Sequence, residues 1–150
     1  MTIRTTTRVL VAGAAVLTAL TFDATAHAAP GQLLQFRSPS GNITCQFTTA
    51  IGGGNSIVCD IADHGFASPQ RPAWCDKGRW GNTIALNEGG TPAFSCAGAA
   101  LSADGLPTLF FDHSTTVGTL TCLSMPDGIT CTDTSTGHKF HLQRESYELA

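Results

Sequence analysis

Apolar residues in this chain follow two patterns, and the change between them divides it in two. Residues 9–20 (VLVAGAAVLTAL) form one unbroken, uncharged apolar run. Beyond it, apolar positions come in short groups that alternate with polar ones, bounded by Gly, Pro, Asn and Asp. Alternation of this kind is the pattern of a half-buried strand. It predicts a hairpin from residues 42–48 (NITCQFT) and 56–61 (SIVCDI) around Gly52-Gly53-Gly54-Asn55. A second hairpin is predicted where residues 118–122 (GTLTC) and 129–131 (ITC) flank Met125-Pro126-Asp127-Gly128, since Pro-Asp-Gly is a strong turn signal. Shorter strands are expected at 36–38, 83–86, 93–96 and 139–143, with a last one at 146–149. The apolar group Thr108-Leu109-Phe110-Phe111 reads as a further strand, and residues 97–106 have room for a helical turn. Residues 63–76 carry Pro69 and Pro72 and read as loop. Short strands separated by turns every ~8–12 residues predict an all-β domain, a small sandwich or barrel-like fold.

The first pattern reads as an export signal. Arg4 and Arg8 precede the apolar run, and Ala26-His27-Ala28 offers a small-residue cleavage site after Ala28. The run is shorter than the ~20 residues of a spanning helix. The expected organisation is a signal peptide at 1–28, a short flexible lead-in at 29–35 and a single domain at 36–150. The product would be secreted or cell-wall associated, with no membrane span after cleavage. Six Lys and Arg then face ten Asp and Glu, without a basic run, which argues against nucleic acid as a partner.

All six cysteines lie beyond the signal: Cys45, Cys59, Cys75, Cys96, Cys122 and Cys131. An even count in an exported chain predicts three disulfides. No Cys-x-x-Cys pair suggests a metal site, and neither metal nor cofactor is expected. The first hairpin suggests Cys45–Cys59, the second Cys122–Cys131, and elimination leaves Cys75–Cys96. The second pairing depends on the turn. A three-residue Pro-Asp-Gly loop would set Met125 opposite Ile129 and point Cys122 and Cys131 to different faces. A direct bridge needs Ser124 opposite Ile129, or a bulge. The two hairpins also resemble each other, as a pseudo-repeat or as ordinary recurrence of strand residues.

Residues 36–43 (FRSPSGNI) with Cys45, Val58-Cys59-Asp60-Ile61, Trp80-Gly81, Cys96-Ala97-Gly98, Gly118 with Thr121-Cys122, Gly128-Ile129-Thr130-Cys131, and Thr136-Gly137-His138 with Phe140, Arg144 and Ser146-Tyr147 together resemble a family. It consists of small secreted, cysteine-containing actinobacterial domains, of mycobacterial type and unknown function. The resemblance spans the mature chain and implies an exported single domain with paired cysteines; it implies no reaction. Lys139 stands where the family pattern has glycine, and Arg79 where it has an acid before Trp80.

Candidate chemistry is thin. His138 and His141 form H-x-x-H, but on a strand positions i and i+3 point to opposite faces, so His138 is expected to fix a turn. Asp112-His113-Ser114 is a sequence neighbourhood rather than a triad, and no G-x-S-x-G elbow exists. His64 lies near Asp60 and Asp63. Asp127 and Asp133 sit at turns, where Asp usually serves the backbone. Trp74, Trp80 and Tyr147 are the binding-site candidates, because an exposed aromatic face stacks on sugar rings or grips a protein. The sequence therefore favours a non-catalytic extracytoplasmic or envelope-associated module whose partner is a glycan or a protein. A small secreted hydrolase using His64 or His113 with a nearby Asp is the alternative.

Overall fold

The computed structural model describes residues 34–150; the expected signal peptide lies outside them. Ten strands form two five-stranded antiparallel sheets. The first holds β1 (Gln35–Arg37), β2 (Ile43–Thr48), β3 (Ser56–Ile61), β4 (Thr83–Asn87) and β5 (Ala93–Phe94) in chain order. The second holds β6 (Ser114–Val117), β7 (Leu120–Met125), β8 (Gly128–Asp133), β9 (Lys139–Gln143) and β10 (Tyr147–Leu149), also in chain order. Each sheet is thus a plain meander, which short turns alone can connect. The first sheet begins one residue earlier than its pattern predicts, because Gln35 already pairs with Gln46.

Alternation directs one face of each sheet into a shared core. Phe36, Cys45, Ile57, Cys59, Ile84 and Leu86 from the first sheet meet Leu120, Cys122, Ile129, Cys131, Phe140 and Leu142 from the second, all fully buried. The three disulfides are Cys45–Cys59, Cys75–Cys96 and Cys122–Cys131. The first and third join directly opposed residues of neighbouring strands. The second hairpin resolves in favour of the direct bridge. Met125 pairs with Gly128, so the loop is only Pro126-Asp127, and Ser124 stands opposite Ile129. Three such bridges, worth ~2–4 kcal/mol each, belong to an oxidising, extracellular kind of environment.

The halves are built alike. Cys45 opposes Cys59 and Cys59 opposes Ile84 in the first; Cys122 opposes Cys131 and Cys131 opposes Phe140 in the second. Gly41 and Gly118 enter β2 and β7 at positive φ, 74° and 58°, where a Cβ is strained. The two hairpin bridges touch in the core, with Cys59 Sγ 3.9 Å from Cys131 Sγ. The resemblance between the hairpins is therefore one of register and connectivity, not of composition alone.

Two sequence expectations fail between the halves. Thr108–Phe111 is not a strand: Thr108 makes a single parallel bridge to Arg37, and only Leu109 of the group is buried. The chain must turn there to start β6, so Phe110 and Phe111 are left exposed. Residues 97–106 form no helix. They run as irregular chain, with Leu101 and Leu106 beside Thr44 and Gln46 on the outer face of the first sheet. Packing on a sheet needs no helical period there.

Candidate functional site

The long β3–β4 connection, residues 62–82, is where the first half departs from the second. It has no strand, yet it is fastened at several points. Arg79 pairs with Ala97 through both backbone bonds, Arg79 N to Ala97 O at 2.7 Å and Ala97 N to Arg79 O at 3.1 Å. The Cys75–Cys96 disulfide ties the same two segments together. The Arg71 guanidinium donates to the Cys75 and Gly78 carbonyls at 2.9 and 2.7 Å. Beneath the loop, Arg79 Nη1 donates to Asp60 Oδ2 at 2.7 Å, and Thr83 Oγ1 donates to the same oxygen at 2.9 Å. Asp60 is 3% exposed and needs both partners, because an unpaired buried carboxylate is costly. Arg79 is thus the cation that satisfies Asp60.

This loop carries the sequence-predicted tryptophans, and the fold joins them to Tyr147. Trp74 meets Trp80 edge to face at 5.6 Å. Trp80 lies 6.1 Å from Phe94, and Phe94 meets Tyr147 edge to face at 4.7 Å. Phe66 continues the row at 5.0 Å from Tyr147, with His64 stacked on it at 3.9 Å. The middle of this ladder follows from topology. Phe94 pairs with buried Ile84 and Tyr147 with buried Leu142, so both rings point inward from the edge strands β5 and β10. They meet where the two sheets would otherwise part. Edge-to-face contacts of this kind add about 0.5–1.5 kcal/mol each beyond burial.

The members differ in what they can offer. Trp80 is partly buried, and its Nε1 donates to the Pro69 carbonyl at 2.8 Å. Tyr147 is partly buried between Phe66 and Phe94. Trp74 is 67% exposed. Trp80 and Tyr147 therefore act from within as supports, and Trp74 is the ring presented to solvent. Phe66 and Phe94 escaped the sequence reading. Phe94 shares the parity of Cys96 in a recognised strand, which was the one available signal; Phe66 sits in irregular chain and left none.

The other polar candidates are spread across the molecule. His64 Nδ1 contacts the Phe66 carbonyl at 3.1 Å, while Asp60 is taken by Arg79 and Asp63 by Arg144 at 2.8 Å. His113 Nδ1 contacts the Phe111 carbonyl at 2.9 Å. His138 Nδ1 reaches the Gly90 carbonyl at 2.8 Å and fixes one turn against another. His141 instead contacts Thr130 Oγ1 at 2.8 Å, with Nε2 3.5 Å from Asp127. Among the described residues no group of three His, Cys, Asp or Glu side chains is placed to hold a metal.

Two carboxylates have strongly shifted acidities, and both are structural. Glu88 accepts from Asn55 N at 2.8 Å, Asn55 Nδ2 at 2.9 Å and Thr119 N at 2.8 Å. These bonds, those of Asn55 foremost, lower its pKa to about 2. Asp133, fully buried, accepts from Ser135 Oγ at 2.7 Å and from Gly89 N, which holds its carboxyl far below the usual range. Each ties a turn of the first sheet to one of the second. Both keep their charge at neutral pH, the reverse of what a general acid needs.

A family of unknown function, DUF6636, matches residues 14–149, and the chain belongs to it. No curated protein and no solved structure shows significant similarity to the chain.

Proposed function

We propose that this DUF6636 protein is an exported, non-catalytic binding module, retained at the cell envelope, that grips an extracytoplasmic glycan or protein with the face of Trp74. The observation that carries the reading is the contrast between exposure and fixation. A large aromatic that is 67% exposed sits on a loop held by a disulfide, a partly buried ion pair and a ring contact to Trp80. Exposed aromatics held in advance lose little entropy on binding and tend to dominate interface energies. The signal-like pattern read from residues 1–28 and the three disulfides support an extracytoplasmic setting. The scattered histidines and committed carboxylates support binding over hydrolysis.

The test is co-sedimentation of the oxidised protein with purified envelope fractions, next to a Trp74→Ala variant. Saturable binding by the wild type, weakened about tenfold or more in the variant, is the expected outcome. The variant should melt within a few degrees of the wild type, since it removes an exposed ring. Equal binding by both proteins, or binding by neither, would remove Trp74 as the recognition group.

A further inference from the structure

A second concave surface lies apart from Trp74, at the end of the sandwich where the β1–β2, β7–β8 and β9–β10 turns gather. It is an open cleft of about 390 Å³ with an apolar wall and a polar rim. Phe111, Met125 and Pro126 supply the wall; Asp63, Asp127 and Arg144 supply the rim. We propose that this cleft is a binding site for a neutral saccharide.

Several contacts orient the groups around the cleft. Asn42 clasps Asp63 through two bonds, Asn42 Nδ2 to Asp63 O at 2.8 Å and Asp63 N to Asn42 Oδ1 at 2.9 Å. Arg144 Nη2 then holds the Asp63 carboxylate at 2.8 Å. On the opposite side, the Thr130–His141 contact orients an imidazole whose Nε2 stands 3.5 Å from Asp127 Oδ2. Phe111 is placed by a turn in which Asp112 adopts a φ of 63°. That left-handed residue is held by Asp112 N donating to Ser124 O at 2.8 Å and His113 N to Phe110 O at 3.1 Å. Aspartate tolerates this left-handed conformation in turns, and here the turn leaves the Phe111 ring 45% exposed beside the cleft. Both halves of the fold contribute, and residues remote in sequence converge on one space.

The chemistry selects the ligand class. Carboxylates accept from sugar hydroxyls, a guanidinium donates to them, and an aromatic face packs against ring C–H groups. Two acids against one guanidinium disfavour an anion. Arg144 already faces both Asp63 and Glu145, so Asp63 offers no uncompensated charge to an amine. The volume falls within the range of small-molecule sites, and the open shape suits a polar, hydrated ligand better than an apolar one.

The test is a titration of the ¹⁵N-labelled oxidised protein with glucose, galactose, mannose, arabinose and N-acetylglucosamine, read by amide shifts. Methylamine and inorganic phosphate serve as charged controls. Saturable shifts at Asn42, Phe111, Asp127 and Gly128 are expected with at least one sugar, with a Kd on the order of 1 mM. Phe111→Ala and Asp127→Asn should each weaken that binding about tenfold, while Ile51→Ala, in the exposed β2–β3 turn, leaves it unchanged. Both altered side chains are well exposed, so spectra elsewhere should stay as in the wild type. No saturable shift with any sugar overturns the proposal, as do cleft shifts with a charged control alone, or sugar shifts confined to the Trp74 loop. That last result would still support the Trp74 reading, so the two stand or fall separately.

Discussion

Replacing Glu88 with Gln tests how the two sheets are fastened at the end away from the cleft. Glu88 follows β4, and its carboxylate collects the backbone and side-chain amides of Asn55 and the backbone amide of Thr119, from the β2–β3 and β6–β7 turns. Gln keeps the shape but offers one acceptor oxygen, and its NH₂ opposes amides that also donate. Folding lowers this pKa from 4.5 to about 2. At 1.36 kcal/mol per unit, and allowing for solvent at a half-buried position, the charge stabilises the fold by about 2–3 kcal/mol. The variant should therefore melt about 10 °C lower at pH 7. Because the folded pKa is the depressed one, this stabilisation is complete above about pH 4.5 and fades as pH falls toward 2. Urea unfolding of both oxidised proteins from pH 7 to pH 2 should show the gap closing to a few tenths of a kcal/mol at the acid end. A gap below ~0.5 kcal/mol at pH 7 would refute the reasoning. So would a gap that does not narrow between pH 5 and 2, because the loss would then come from shape rather than charge.

Other perturbations separate the remaining supports. Arg79→Ala leaves buried Asp60 with Thr83 alone and should cost about 3 kcal/mol in urea unfolding; a loss under 1 kcal/mol would mean that Asp60 does not depend on its cation. Joint replacement of Cys75 and Cys96 by Ser should cost about 3 kcal/mol and open residues 62–82 to proteolysis, while amide exchange in the core strands keeps its relative order. Ser124 is fully buried, and its Oγ has no hydrogen-bond partner among the described residues. Ser124→Ala should accordingly raise stability by about 1 kcal/mol, and a destabilised variant would point to a partner for that hydroxyl.

Much of the fold was legible because its information is local. Ile57, Cys59 and Ile61 recur every second residue, so the inward face of β3 can be read without knowing what it meets. The same parity places each hairpin's cysteines, and the one ambiguity, at Met125-Pro126-Asp127-Gly128, concerned a single residue of loop length. The aromatic ladder was only half legible. Trp74, Trp80 and Tyr147 stand out as large rings, but what joins them is Phe94, which reaches Tyr147 through the meeting of β5 with β10. No local pattern encodes that meeting. Thr108–Phe111 misled for the opposite reason. Its residues suit a strand, but the crossing between sheets requires a turn there. The Asp60–Arg79 pair was likewise hidden, since partners 19 positions apart in sequence are set 2.7 Å apart by the fold.

The position of the tryptophans follows from the way the two halves differ. Both halves share strand order, cysteine register and the glycine that enters the first cysteine strand. The second half passes from β8 to β9 through residues 134–138; the first passes from β3 to β4 through residues 62–82. That longer connection contains Trp74, Trp80 and Cys75. The disulfide outside the repeated pattern is the one that fastens it. The two hairpin bridges, fully buried and in contact with each other, serve the scaffold common to both halves. The third serves only the segment that the first half has and the second lacks. A loop that existed merely to connect β3 with β4 could be as short as its counterpart. Its length, its separate disulfide and its exposed ring make residues 62–82 the part of the chain where a role beyond folding is best sought.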